Sequence, residues 1–327
     1  MHKLAVGSIS LMVLLVSSGL LSGAAGAAER ARPFLIGVLT AAWGHTPAVT
    51  GLRDGLRDLG YREDEQFVIG VRFTQGDLGA LPAAARELVG QGVDLIFASG
   101  QSAKAAQQAS TRIPIVFAGE ADPLGMGLIQ SFARPGGNIT GVASLGVELG
   151  AKRLEVFRAI IPGLQRVLFP YDPTDPHAVA EGRVYRDAAN RLGIELVTWE
   201  LRTQEEAQSA LSRVGKGDVE GIVAPQNPAL NIPGFILEAS TQRMVPTMFS
   251  NAFSVEQGGL VSYGPSFYES GRQAARLVDK ILKGAQPGEI PVEVNSNIEF
   301  VINLKVAQAL GLTIAPQVLF QADRIVR

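Results

Sequence analysis

Cysteine is absent from the 327 residues, which excludes a disulfide framework, a thiolate metal site and a cysteine nucleophile. The lipid-bearing cysteine of an anchored lipoprotein is excluded with them. Histidine is scarce, with three in all, and no His, Asp or Glu cluster has metal-ligand spacing. No Gly-x-Ser-x-Gly elbow opens a helix. An acid/base enzyme built on Glu120, Asp122, Asp172 or Asp175 is therefore the weakest reading, and neither catalysis, metal nor cofactor is expected. Charge of one sign is lacking too. Lys and Arg number 29 against 31 Asp and Glu, a formal net charge of −2, which argues against nucleic acid or an anionic membrane as partner.

What remains is a chain 46% hydrophobic and 18% charged, the composition of a globular protein with large cores. Its length suffices for two domains. Lys3 and the interrupted apolar stretch 4–21 lead to Ala25, Gly26, Ala27 and Ala28, the pattern of a cleavable signal peptide over 1–28. No later stretch approaches the roughly 20 apolar residues that span a bilayer. A soluble, unanchored mature protein of the periplasm is expected.

One strand–helix design occurs twice in the same order. Arg112-Ile113-Pro114-Ile115-Val116-Phe117-Ala118 has its counterpart in Arg243-Met244-Val245-Pro246-Thr247-Met248-Phe249-Ser250. Gly141-Val142-Ala143-Ser144-Leu145-Gly146 likewise matches Gly259-Leu260-Val261-Ser262-Tyr263-Gly264. The period of roughly 130 residues is too long for a solenoid. Two copies of one α/β unit predict two lobes with a cleft between them.

Within each copy, short apolar runs without alternation predict strands buried on both faces. In the first they cover 34–39, 67–73, 93–98 and 115–118. In the second they cover 167–170, 195–201, 221–224 and 246–249. Helical patterns alternate with them, among them one begun by Thr46 and Pro47 and ended by Gly60, and one over 177–191. The fold class is α/β, two doubly wound parallel-sheet lobes. Crossings are expected near 144–148, 263–266 and 293–298. They assign 29–144 with 265–294 to lobe 1, and 145–264 with 295–327 to lobe 2.

Several segments carry a resemblance over nearly all of 33–327. They include 51–61, 81–89, Ala133-Arg134-Pro135-Gly136-Gly137-Asn138-Ile139-Thr140-Gly141, Ser262-Tyr263-Gly264-Pro265 and Leu310-Gly311-Leu312-Thr313-Ile314. The chain resembles ABC-transporter substrate-binding proteins with the type I periplasmic-binding fold, the group with tryptophan- and tyrosine-type receptors. The resemblance implies a monomer that closes its cleft on a small solute and passes it to an ABC permease in the inner membrane. Departures fall where a ligand would lie: Gly100-Gln101-Ser102 replaces a small-residue-Thr-Pro turn, and Glu120 stands where a hydrophobic or small residue is frequent.

Ligands of open parallel sheets sit outside the carboxyl ends of the strands, which selects six loops. Ser99, Gln101 and Ser102 open a helix whose free N–H groups suit a carboxylate, or Ser102 is an N-cap. Asp122 suits a ligand ammonium with Glu120 adding negative potential, or it caps a turn before Pro123. Trp43, Tyr171 and Phe253 are candidate apolar walls or core. His45, Asp172, Gln226, Asn227 and Asn251 are candidate hydrogen-bonding groups. These loops lack Arg and Lys, so a multiply charged anion would lack bidentate partners. A zwitterion with an apolar or aromatic side chain fits, with a sugar or polyol as the alternative. Presentation of the ligand to a membrane sensor would differ in partner only.

Overall fold

In the computed structural model, residues 32–42, 44, 46–215, 217–225 and 234–327 are described. The expected signal peptide lies outside them. The first sheet contains β1 (Phe34–Thr40), β2 (Phe67–Phe73), β3 (Leu95–Ala98), β4 (Ile115–Glu120), β5 (Ile139–Ser144) and β11 (Glu293–Asn295). Their order is β2-β1-β3-β4-β5-β11, and each adjacent pair is parallel. β3 is buried along its whole length, as the unbroken apolar run requires.

The second sheet contains β6 (Arg166–Tyr171), β7 (Glu195–Glu200), β8 (Gly221–Val223), β9 (Thr247–Phe249), β10 (Val261–Pro265), β12 (Ile298–Asn303) and β13 (Arg324–Val326). It is ordered β7-β6-β8-β9-β10-β12-β13. Its first five strands thus reproduce the order of β2-β1-β3-β4-β5, and the sequence repeat is a topological repeat. One pairing departs from the parallel pattern, since β12 pairs antiparallel with β10, and β13, parallel to β12, runs the same way. Only residues 296 and 297 separate β11 from β12. β12 therefore starts at the edge where β10 ends and must run away from it.

Helix α1 (Pro47–Asp58) begins at Thr46, whose backbone is extended but whose side chain makes no capping bond. α9 (Phe267–Leu282) follows the last repeated strand of the second lobe, yet it packs on α1 of the first. Glycine makes that approach possible. A Cβ on Gly51 would lie 2.0 Å from the Tyr268 carbonyl oxygen, and one on Gly271 would lie 2.0 Å from that of Ala48. The pairing is pinned by Tyr61, whose hydroxyl donates to Asp279 at 2.8 Å, and by Tyr268, which donates to Asp54 at 3.0 Å.

Three segments join the sheets, after β5, after β10 and between β11 and β12, and buried polar groups tie them together. Arg153 of α4 (Gly150–Ile160) has no exposed side-chain surface, and neither does its partner Glu181 at 3.0 Å. The Arg153 Nε donates to the carbonyl of Tyr263 at 2.8 Å and another guanidinium nitrogen to that of Gly146 at 3.0 Å. Asn295 donates to the Ser266 carbonyl and the Ser270 hydroxyl, both at 2.8 Å. A buried charge stripped of its partner is strongly destabilising. Arg153→Met should therefore lower stability by about 3–5 kcal/mol in urea denaturation. Arg153→Met with Glu181→Leu should cost less than the single change. A single-variant loss under about 1 kcal/mol would show that the pair does not hold the crossings.

Candidate functional site

In sheets of order 2-1-3-4-5 the strand direction of build reverses between β1 and β3, and here again between β6 and β8. Crevices open at the carboxyl ends of those strands. The described residues of the loops selected from sequence follow the carboxyl ends of the strands. Trp43, His45, Gln226 and Asn227 fall outside the described residues.

Glu120 ends β4 and is 9% exposed. Its Oε1 accepts from the Ala121 N–H at 3.0 Å, while Oε2 is enclosed and has no hydrogen-bond partner. Burial pushes its pKa up, opposed by the N–H of Asp122, by His177 and by the N–H groups of Ala121 and Gly100. Gly100 is the N-cap of α3 (Gln101–Ala109), at φ +54°. Its Cβ, if present, would be 3.8 Å from Glu120 Oε2. The positive end of α3 therefore already faces a carboxylate of the protein itself. Ser102 is not the cap; it lies inside the helix and is buried. Ser99 and Gln101 are exposed.

Asp122, two residues beyond Glu120, is exposed and its Oδ1 accepts from the Gly125 N–H at 2.7 Å. In the second lobe Tyr171 stacks on Phe169 at 5.6 Å and donates to Glu200 at 3.2 Å. Asp172 accepts from the N–H and the hydroxyl of Thr174. Near Glu120 stands His177, in the first turn of α5 (Pro176–Leu192). Its Nε2 is enclosed without a partner as well. Sequence reasoning placed His177 at a helix start and gave it no role. Asp175-Pro176 immediately before it, a cap followed by proline at a strand's carboxyl end, was the available signal.

A cavity of about 600 Å³ opens between the lobes, within the usual range for small-ligand sites. Pro47 and Thr50 line it from α1, and Asn251, Phe253 and Glu256 from around α8 (Ala252–Glu256). Ser266, Phe267 and Tyr268 close it at the second crossing. Phe253 is 41% exposed, and Asn251 uses its Oδ1 to cap Ser254 at 3.1 Å. Phe267 joins the cavity to the Glu120 region, because a Cβ on Gly119 would meet its ring at 3.4 Å. Glu269, Glu299 and Arg324 complete the wall. Arg324, missed from sequence, pairs with Glu256 at 2.7 Å and with Glu299 at 3.1 Å, so its charge is already matched.

Among the described residues no group of three or more His, Cys, Asp or Glu could hold a metal ion. No described helix is long and apolar enough to cross a membrane. Two repeated α/β lobes joined by three crossings, with a ligand-sized cavity between them, define a type I periplasmic-binding fold. The sequence model described as ABC transporter substrate binding protein matches residues 41–326, and the chain belongs to that family. It is 28% identical over 268 residues to a tyrosine-binding protein of Clostridioides difficile, covering 81% of this chain and 76% of the relative. An ABC domain from Streptococcus pneumoniae solved with L-Trp is 26% identical at TM-score 0.76, covering 90% of this chain and all of that one. A conserved domain protein of Vibrio cholerae is 28% identical at TM-score 0.78, with the same coverage.

The upward shift of Glu120 fixes the sign of its pH dependence. A carboxylate whose folded pKa exceeds its unfolded value binds more protons in the folded state, so its contribution to stability falls as pH rises through that window. The penalty is absent well below the ordinary Glu value of about 4.3 and present above the raised one. Glu120→Gln should accordingly raise the melting temperature of the ligand-free protein at about pH 7 and lose that advantage toward about pH 4. An equal effect at both pH values would contradict the burial of an ionised Glu120.

Proposed function

We propose that the chain is the extracytoplasmic receptor of an ABC importer, closing its cleft on an L-amino acid with an aromatic side chain. The observation that carries this reading is the unpartnered Oε2 of buried Glu120. A buried acceptor without a donor is costly, and a ligand ammonium supplies a charge-assisted partner. The role first considered for Asp122 thus passes to Glu120, because Asp122 is exposed and caps its own turn. The side chain would lie in the cavity against Phe267 and Phe253, where aromatic pairs add to simple burial.

The charge of the cavity supports a ligand of this kind. Three glutamates line it against one arginine, which repels dicarboxylates and phosphates. The tyrosine-binding relative and the L-Trp-bound structure support the aromatic class. The crossings would act as a hinge, and the loaded monomer would deliver its solute to a permease. Handover requires only binding and release, so no residue is assigned a catalytic part.

Calorimetry tests the reading. L-tyrosine or L-tryptophan should bind the mature protein, and its analogue without the amino group should bind poorly. Glu120→Ala should weaken amino-acid binding by about 2–5 kcal/mol, the scale for removing one partner of a buried charge pair. Asp122→Ala should change it by less than about 1 kcal/mol. Equal affinity for the analogue lacking the amine would reject the amino-acid reading.

A further inference from the structure

We infer that His177 is the ligand's contact on the second lobe, its Nε2 donating to the α-carboxylate while Glu120 holds the α-ammonium. The inference rests on the amino-acid reading above and extends it to the other half of the zwitterion. Both Glu120 Oε2 and His177 Nε2 are enclosed and without hydrogen-bond partners. One ends β4 of the first lobe and the other begins α5 of the second. They are close enough for His177 to favour the charged form of Glu120.

The surroundings of His177 suit an anion. It stands in the first turn of a 17-residue helix, where the dipole is positive and N–H groups point outward. Three carboxylates near it in sequence are engaged elsewhere. Asp175 accepts from the His177 backbone N–H at 2.9 Å. Glu181, one turn on, is paired with Arg153 at 3.0 Å, and Asp172 accepts from Thr174 at 2.7 Å. None of them accepts from Nε2, whereas an incoming carboxylate could. The α-amino and α-carboxyl groups of an amino acid share one carbon, so a single ligand end can satisfy an acceptor on one lobe and a donor on the other. Each lobe then contributes one contact to a charged group of the ligand, and neither is complete with the lobes apart.

The test compares three ligands on the full mature chain by calorimetry: L-tyrosine or L-tryptophan, whichever binds more tightly, its carboxamide, and its desamino acid. Wild type should favour the acid over the amide by about tenfold or more, the scale of one charge-assisted hydrogen bond. His177→Leu should lose that preference, weakening the acid while leaving the amide within about twofold. Its discrimination against the desamino acid should persist, and Glu120→Gln should show the converse pattern. His177→Gln, whose amide nitrogen reaches the place of Nε2, should keep most of the preference. His177→Asn, which is shorter, should lose it, and this pair decides the matter should the leucine variant fail to fold. An unchanged acid–amide ratio in His177→Leu and His177→Asn, or an equal loss for both ligands, would overturn the inference and leave the amino-acid reading standing. A wild type that binds neither amino acid overturns both.

Discussion

A guanidinium with no exposed surface sits where the two lobes meet. Arg153 binds the carbonyl of Gly146 on the first crossing and that of Tyr263 in β10, the strand that leads into the second, and Glu181 balances its charge. Desolvating such a pair is tolerated only when the remaining donors find partners, and here the partners are the crossings themselves. Asn295 extends the tie, linking the third crossing to Ser266 of the second. The three passages are therefore tied into one hydrogen-bonded unit.

The helix pairing that follows from this arrangement makes the lobes inseparable. α9 begins at the second crossing and returns to α1, and Gly51, Gly55 and Gly271 let the two helices approach backbone to backbone. The first lobe thus includes chain that has already passed through the second. Its N-terminal turn also supplies Phe267 and Tyr268 to the cavity, so the element that locks the fold also shapes the site. Among the buried side-chain atoms of the described residues left without a hydrogen-bond partner are the carboxylate Oε2 of Glu120 on one lobe and the imidazole Nε2 of His177 on the other. A solute carrying both charges is the simplest way to complete them.

Much of this was legible in the chain. The paired segments around Pro114 and Pro246, and around Gly141 and Gly259, foretold two lobes, and the strand order repeats as they do. The carboxyl-end loops follow from that order. Four things were not legible. β11 and β13 have three residues each, too short for periodicity, and the antiparallel β12 follows from the two-residue link between β11 and β12. Glu120 and Asp122 are both acidic residues near a strand end, and only the register of β4 decides which is buried. Arg324 and Phe267 reach the cavity from distant segments through tertiary packing, which no local pattern records. His177 was hidden by its ordinary position at a helix start.

If a solute bridges the lobes, its binding must shorten the molecule. Small-angle X-ray scattering of the mature protein, with and without saturating aromatic amino acid, measures this directly. A smaller radius of gyration in the bound sample is the expected result. An unchanged radius with the ligand shown to be bound would contradict a cleft that closes on its solute.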